Sequence, residues 1–124
     1  MFSHDDLRPL NILISSTELT GVIDWEHHSM YPMALAVDYP QWIRNTGYYD
    51  PRFCQPREYW LDTPEICEHL RNVFDKYLQH KAPKMWIAFD QGRVLRETVS
   101  WIVGDPYNDE GCERLEAWMN ATEF

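Results

Sequence analysis

The sequence has 124 residues, a length that favours one domain with a single hydrophobic core. Its 20 acidic and 11 basic residues give a formal charge of −9, which argues against a general nucleic-acid or anionic-membrane surface. Hydrophobic residues make up 44% of the chain and aromatic residues 15%, so the composition excludes a disordered acidic tail.

The sequence carries no sign of export or of a disulfide framework. No apolar run approaches the ~20 residues that cross a bilayer, and the first residues lack the basic start and apolar stretch of a signal peptide. We therefore expect a cytoplasmic protein. Its cysteines, Cys54, Cys67 and Cys112, have no C-x-x-C spacing, which favours reduced and mostly buried thiols over disulfides or structural zinc.

A β-hairpin is predicted near the start of the chain. The charged segment 3–9 ends in a proline and predicts a loop. Residues 11–15 and 20–24 are strand-like, and residues 16–19 between them suit a hairpin connection. Because the first residue of one antiparallel strand lies near the last residue of the other, we expect Asn11 and Asp24 to be neighbours.

The segment from residue 25 to residue 64 is rich in proline and aromatic residues, which is typical of ordered loop. One short helix is predicted at about residues 33–43, interrupted near Pro40. We expect Asp38 to cap or brace this helix rather than bind a substrate. The adjacent His27 and His28 are interpreted as loop residues, because neighbouring side chains diverge and no partner has metal-ligand spacing.

Three helices are predicted in the C-terminal half. The first has Thr63 as N-cap and Pro64 at its first position and ends before Pro83. The second runs from about residue 84 to 103, with Gly92 weakening its middle and residues 104–106 ending it; the third runs from about 109 to 120. The apolar spacing predicts which residues of each helix face inward. On the first helix they are Ile66, Leu70, Val73, Phe74, Tyr77 and Leu78; on the second, Met85, Trp86, Phe89, Val94, Leu95, Val99 and Ile102; and on the third, Cys112, Leu115, Trp118 and Met119.

The polar residues around the hairpin are the strongest candidates for a chemical site. Asn11 and Asp24 offer oxygen ligands, the kind that a hard cation such as Mg²⁺ requires. Asp6 lies five residues before Asn11, on the loop, where a carboxylate can accept a proton from a hydroxyl nucleophile. Any one of these residues alone is better explained as a turn cap, whereas all three in register with His4, Leu7 and Pro9 favour a chemical site.

The motif H-x-D-L-x-P-x-N-I-L at residues 4–13, with I-D-W at residues 23–25, resembles the signature of the aminoglycoside phosphotransferase family, whose fold is kinase-like. The resemblance, to the version found in predicted fungal phosphotransferases, continues through residues 34–43 and the C-terminal helices. It implies an α+β fold: the mostly helical C-terminal lobe of a protein-kinase-like fold, with a short β-hairpin next to the catalytic loop.

The resemblance also implies a role for each matching residue. Asp6 would be the catalytic base, Asn11 and Asp24 would bind Mg²⁺ at the ATP phosphates, and His4 would support the loop. Arg8 has two interpretations of equal weight, neutralising the transferring phosphate or pairing with Asp5. The implied activity is ATP-dependent phosphoryl transfer to a hydroxyl group of a small molecule. We expect no nucleic-acid or membrane partner. The excess of acidic residues suits a cationic acceptor, but ordinary solvent-exposed charge explains this excess equally well.

On this interpretation the chain divides into the catalytic loop and hairpin (1–26), a loop with a short helix (27–62) and a helical region (63–124). It contains neither a Gly-rich phosphate loop nor a strand lysine, so we expect the N-terminal nucleotide-binding lobe to be absent. A truncated chain of this kind would be inactive alone and would self-associate through exposed apolar surface. The alternatives are a non-catalytic relic or regulatory interaction fragment, and a partner chain that supplies the missing lobe.

Overall fold

The protein is a mostly helical α+β chain with two small antiparallel sheets of two strands each. The computed structural model describes residues 1–53, 63–104 and 108–122. Cys54 and the helix-ending residues 105 and 106 lie outside these ranges. Within them, the strands are β1 (Phe2–His4), β2 (Ile12–Ser15), β3 (Glu18–Val22) and β4 (His28–Met30), and the α-helices are α1 (Met33–Ala36), α2 (Pro64–Lys81), α3 (Pro83–Gln91), α4 (Arg93–Val103) and α5 (Asp109–Ala121).

The predicted hairpin is confirmed. Strands β2 and β3 pair antiparallel, with Ile12 opposite Val22 and Ser15 opposite Glu18. The connection is shorter than predicted, and Ser16 makes the turn with a positive φ of 59°. The pairing register shifts between Leu13 and Ile14, which is a β-bulge.

The pairing of β1 with β4 was not predicted. Ser3 lies opposite Ser29, and His4 lies opposite His28. The prediction of loop at residue 3 and at His28 is therefore wrong. Both strands have three residues, which is too short for an alternating pattern to be recognised in the sequence.

Helix α2 matches its prediction, and the helix predicted at 33–43 is only partly present. The Thr63 hydroxyl oxygen accepts a hydrogen bond from the Ile66 N–H at 3.4 Å, so Thr63 caps α2. Helix α1 ends at Ala36, and a 3₁₀ helix follows at Gln41–Ile43. Pro40 lies between the two and cannot donate the backbone hydrogen bond that a continuous helix requires.

Gly92 divides the second predicted helix into α3 and α4. A Cβ atom at this position would lie 2.5 Å from the Ala34 carbonyl oxygen and 2.7 Å from the Ala88 carbonyl oxygen. Since backbone atoms at those distances cannot shift easily, the close approach of α1 to the α3–α4 junction requires glycine.

The buried apolar residues form two clusters. The first consists of Val37, Leu78 and Phe89, and it joins α2 and α3 to the segment after α1. The second consists of Tyr48, Trp101 and Trp118, and it joins α4 and α5 to the 3₁₀ helix at Gly47–Tyr49. These clusters hold the helical half together.

The predicted inward face of α4 is wrong. Leu95, Val99 and Ile102 are exposed, whereas Arg96 and Glu97 on the opposite side are buried. The inward side carries Trp101, which is 1% exposed and was not among the residues predicted to face inward, and it is also fixed by polar contacts that the apolar spacing does not reveal. Several other positions predicted to face inward are also exposed: Ile66, Val73 and Tyr77 on α2, and Cys112 and Met119 on α5. Cys67 is buried as expected.

Asp38 braces the helices, as predicted. Its carboxylate forms an ion pair with Arg44 at 3.0 Å and lies 3.7 Å from the Arg96 guanidinium. Arg96 donates hydrogen bonds to the carbonyl oxygens of Ala34 at 2.9 Å and of Phe89. Burial lowers the pKa of Arg96, and the charge of Asp38 opposes that effect. Arg96 thereby joins α1, α3 and α4.

None of the helices in the described part of the chain is both long and apolar enough to cross a membrane.

Candidate active site

The loop between β1 and β2 carries the expected base, and both of its ends are held by backbone hydrogen bonds. At the start, the Asp5 N–H donates to the His27 carbonyl oxygen at 3.0 Å and extends the β1–β4 pairing. At the end, a 3₁₀ helix at Pro9–Asn11 leads directly into β2. The loop is therefore held between the two sheets.

Asp6 and Asn11 are in direct contact on this loop. The Asn11 side-chain amide donates to the Asp6 carbonyl oxygen at 2.9 Å and to the Asp6 carboxylate oxygen Oδ2 at 3.2 Å. Asn11 is 5% exposed, so water has little access to these two hydrogen bonds. The structure therefore brings together the residues that the sequence singled out as base and metal ligand.

Arg8 pairs with Asp6. Its Nε atom lies 3.1 Å from Oδ2 of Asp6, so the interpretation that Arg8 pairs with Asp5 is wrong. Arg8 and Asn11 contact the same carboxylate oxygen. The Arg8 side chain is half exposed, and its positive charge lies at the surface beside the expected base.

The strand predicted at residues 20–24 ends at Val22, and Asp24 lies one residue beyond the backbone partner of Asn11. The N–H of Ile23, the residue before Asp24, donates to the Asn11 carbonyl oxygen at 2.9 Å. Asp24 is exposed and has a positive φ of 65°, a conformation that Asp adopts more readily than most residues. The side-chain partner of Asn11 is Asp6, and its connection to Asp24 runs through the backbone of Ile23.

His4 contacts the segment that carries Asp24. Its Nε2 atom donates to the Ile23 carbonyl oxygen at 2.8 Å, and its ring centroid lies 4.6 Å from that of Trp25. Within the described residues, the buried Nδ1 atom of His4 has no hydrogen-bond partner. The ring thus joins β1 to the segment that carries Asp24.

Aromatic rings pack on the β1–β4 sheet beside the loop. The Phe2 ring stacks on the His28 ring with centroids 4.8 Å apart and lies 5.7 Å from the Trp25 ring. The Trp25 indole N–H donates to the Val22 carbonyl oxygen at 2.8 Å. These contacts fix the segment after Asp24 relative to β1.

An open polar depression lies beside the loop. The residues that line it are Asp5, Asp6, Glu26, His27, His28 and Ser29. Glu26 and Ser29 were not singled out from the sequence, because their position depends on the pairing of β1 with β4. Among the described residues, no group of three or more His, Cys, Asp or Glu side chains could hold a metal ion.

A curated protein is similar in sequence to most of this chain. The chain is 37% identical over 121 residues to the clavilactone A biosynthesis cluster protein Y of Ampulloclitocybe clavipes. The alignment covers 97% of this chain, and the chain spans 30% of the length of that relative. The chain matches no established family profile. No solved structure matches it either.

Proposed function

We propose that this chain contributes the catalytic loop and the metal-binding residues of an ATP-dependent phosphotransferase of the aminoglycoside phosphotransferase family. The acceptor is a hydroxyl group of a small molecule. The observation that carries the proposal is the contact between Asp6 and Asn11, because it joins the expected base to an expected metal ligand. In this proposal the helical half of the chain is part of the C-terminal lobe of a kinase-like fold.

Asp6 is the general base of the proposed reaction. Arg8 and Asn11 both contact Oδ2 of Asp6, so Oδ1 is the oxygen left to accept the proton of the acceptor hydroxyl. Fixing the carboxylate in this way supports in-line attack, since phosphoryl transfer depends mostly on positioning and charge neutralisation. Arg8 also supplies positive charge where a transferring phosphate would pass.

The donor set of Asn11 and Asp24 suits Mg²⁺. The amide nitrogen of Asn11 donates hydrogen bonds to Asp6, which leaves the amide oxygen as a ligand. Asp24 adds an exposed carboxylate. Mg²⁺ is usually bound by one or two carboxylates together with substrate phosphates and waters, so a dedicated protein cluster is not required. When bound, Mg²⁺ would neutralise charge on the ATP phosphates.

A small-molecule acceptor agrees with two observations. The depression beside Asp6 is open and polar, which suits a hydroxylated compound. The relative from Ampulloclitocybe clavipes is named for a biosynthesis cluster, in which the compounds being made are small molecules. The carboxylates of Asp5 and Glu26 at the depression would favour an acceptor without negative charge.

A non-catalytic interaction role is the second candidate. The observation that favours it is the large number of exposed apolar side chains, including Leu10, Ile14 and Leu19 around the hairpin. Such a fragment would keep the helical scaffold and bind a partner, without phosphoryl transfer.

Binding of ATP distinguishes the two candidates. The test uses a hybrid protein, in which this chain replaces the matched 121-residue segment of protein Y. Isothermal titration calorimetry should show ATP binding that requires Mg²⁺, and Asp24→Ala should remove the Mg²⁺ requirement together with most of the affinity. Glu18→Gln, which removes an exposed carboxylate from the hairpin, is the matched control and should bind as the unaltered hybrid does. Absence of Mg²⁺-dependent binding in the unaltered hybrid would favour the non-catalytic role.

A further inference from the structure

A cavity of about 110 Å³ lies between the segment after α1 and the helices α3 and α4. Among the described residues, five charged side chains line it: the cations Arg44, Arg93 and Arg96, and the anions Asp38 and Glu97. Two hydroxyl side chains and two aromatic rings complete the lining. The cavity shares no lining residue with the depression beside the catalytic loop in the described part of the chain, so it is a separate feature.

The two carboxylates of the cavity already pair with its arginines. Oδ2 of Asp38 lies 3.0 Å from a terminal nitrogen of Arg44, and Oε1 of Glu97 lies 3.3 Å from one of Arg93. The Nε atom of the third arginine, Arg96, lies 3.7 Å from Oδ1 of Asp38. The charged residues that line the cavity therefore carry one positive charge in excess.

The third cation is buried. The side chain of Arg96 is 7% exposed, and its hydrogen bonds go to the uncharged carbonyl oxygens of Ala34 and Phe89. Burial lowers the pKa of Arg96, and the carboxylates of Asp38 and Glu97 oppose this effect only in part. Since a buried charge is costly unless it is fully paired, a further anion in the cavity would be stabilising.

Arg44 has a hydrogen-bond donor to offer such an anion. Its Nε atom is buried and has no hydrogen-bond partner among the residues that the structure describes. Buried donors are ordinarily bonded to protein, water or an ion. The guanidinium group lies over the Tyr49 ring, and its N–H groups point outward in its own plane. Oxygen atoms of a carboxylate or phosphate match that planar geometry.

The size of the cavity limits the ligand to a small ion. Pockets for ordinary small molecules have volumes of about 300–1,000 Å³, whereas this cavity measures about 110 Å³. The Arg93 side chain lines the cavity and is 56% exposed, so it also reaches solvent and provides a route of entry. A positive side chain at the entrance would attract anions.

We propose that this cavity binds one small oxyanion, of the size of inorganic phosphate or a short carboxylate, and that the Nε–H group of Arg44 donates a hydrogen bond to it. The ion offsets the excess positive charge of the lining and stabilises the junction of α3 and α4 with the segment after α1. The proposal goes beyond the proposed function, because the site needs neither the catalytic loop nor a metal. It can therefore hold or fail independently of phosphoryl transfer.

Proton–nitrogen NMR of the full chain tests the proposal. The chain is titrated with inorganic phosphate or with acetate, and sodium chloride keeps the ionic strength constant. The Arg44 Nε–H signal should shift and saturate with at least one of these ions. Saturation by phosphate alone assigns a tetrahedral ligand, and saturation by acetate alone assigns a carboxylate.

Two substitutions locate the binding site. Arg44→Lys keeps the positive charge beside Asp38 but removes the Nε–H donor, and it should weaken binding at least about tenfold, measured on the backbone signals of Thr46 and Glu97. Arg52→Lys is the matched control, because Arg52 is an exposed arginine that also pairs with a carboxylate. This control should bind the ion as the unaltered chain does.

Three results would overturn the proposal. In the first, neither ion gives a saturable shift beyond that of chloride, so the cavity holds only water. In the second, Arg44→Lys binds as tightly as the unaltered chain. In the third, Arg52→Lys weakens binding as much as Arg44→Lys, so the attraction is diffuse. If Arg44→Lys does not fold, Arg93→Gln replaces it and should weaken binding at least about threefold; unchanged affinity in that variant would also overturn the proposal.

Discussion

The side-chain amide of Asn11 donates hydrogen bonds to both the backbone oxygen and the carboxylate of Asp6, at 2.9 and 3.2 Å. Asn11 is buried, while Asp6 is partly open to the depression beside the loop. One side chain therefore closes the loop and orients the expected base. This explains why an amide, with a donor and an acceptor on the same group, suits the position better than a carboxylate.

Asn11→Asp should destabilise the protein. The change replaces the donating NH₂ group with an oxygen, which places an acceptor against the backbone and carboxylate oxygens of Asp6 at a buried position. We expect the free energy of unfolding to fall by about 1–3 kcal/mol, measured by urea denaturation at pH 7. Asn72→Asp on the exposed side of α2 is the matched control and should change it by less than about 0.5 kcal/mol. Equal stabilities of the two variants would contradict the closing role of Asn11.

Arg96→Met should weaken the junction of α1, α3 and α4. The methionine fills part of the space but leaves the carbonyl oxygens of Ala34 and Phe89 without their donor. We expect a loss of about 2–4 kcal/mol in the free energy of unfolding, because buried acceptors are left unpaired. Lys84→Met removes the same charge from an exposed position and should change stability little. If Arg96→Met is as stable as Lys84→Met, the contacts of Arg96 do not stabilise the junction of α1, α3 and α4.

Tyr39 should make stability depend on alkaline pH. Its hydroxyl donates to the Asp75 carboxylate at 2.9 Å. Burial, with the hydrogen bond to Asp75 and its charge, raises the pKa of Tyr39 well above the ordinary value near 10. In the unfolded chain the phenol ionises near pH 10, whereas the folded chain retains the proton to higher pH. The stabilisation is therefore complete below about pH 10 and declines above it.

The measurement for Tyr39 is the difference in unfolding free energy between the unaltered chain and Tyr39→Phe, by urea denaturation at several pH values. This difference should be constant from about pH 8 to 9 and should fall as the pH rises beyond about 10. Asp75→Asn removes the partner charge and should make the fall shallower. A difference that stays constant across the whole range would show that Tyr39 ionises equally in both states.

The sequence predicted those elements whose signals are local. Thr63 and Pro64 start α2 at the expected residue, because capping and the fixed φ of proline act within one turn of the chain. The hairpin was found because its strands and turn are adjacent in sequence. Asp6 and Asn11 were identified together through their motif spacing, and their contact lies within five residues.

The elements that the sequence did not predict depend on distant contacts. The inward face of α4 is set by Trp101, which packs on Tyr48 and Trp118, and by Arg96, whose acceptor Ala34 is 62 residues away. The pairing of His4 with His28 joins two strands of three residues each. In both cases the contacts that decide the arrangement are distant in sequence, and neither a single buried residue nor a three-residue strand produces a recognisable hydrophobic periodicity. The partner of Arg8 was also set by loop geometry that spacing alone does not give.

The measurement that tests the central claim most directly is phosphoryl transfer by the hybrid protein with Asp6→Ala, with nucleotide affinity determined on the same sample. If Asp6 is the base, transfer of the γ-phosphate of ATP should fall by at least about 100-fold, because general-base catalysis contributes factors of this size. The affinity for ATP in the presence of Mg²⁺ should stay within about threefold of the unaltered hybrid, since Asp24 and the amide oxygen of Asn11 remain. Transfer at the unaltered rate would contradict the account.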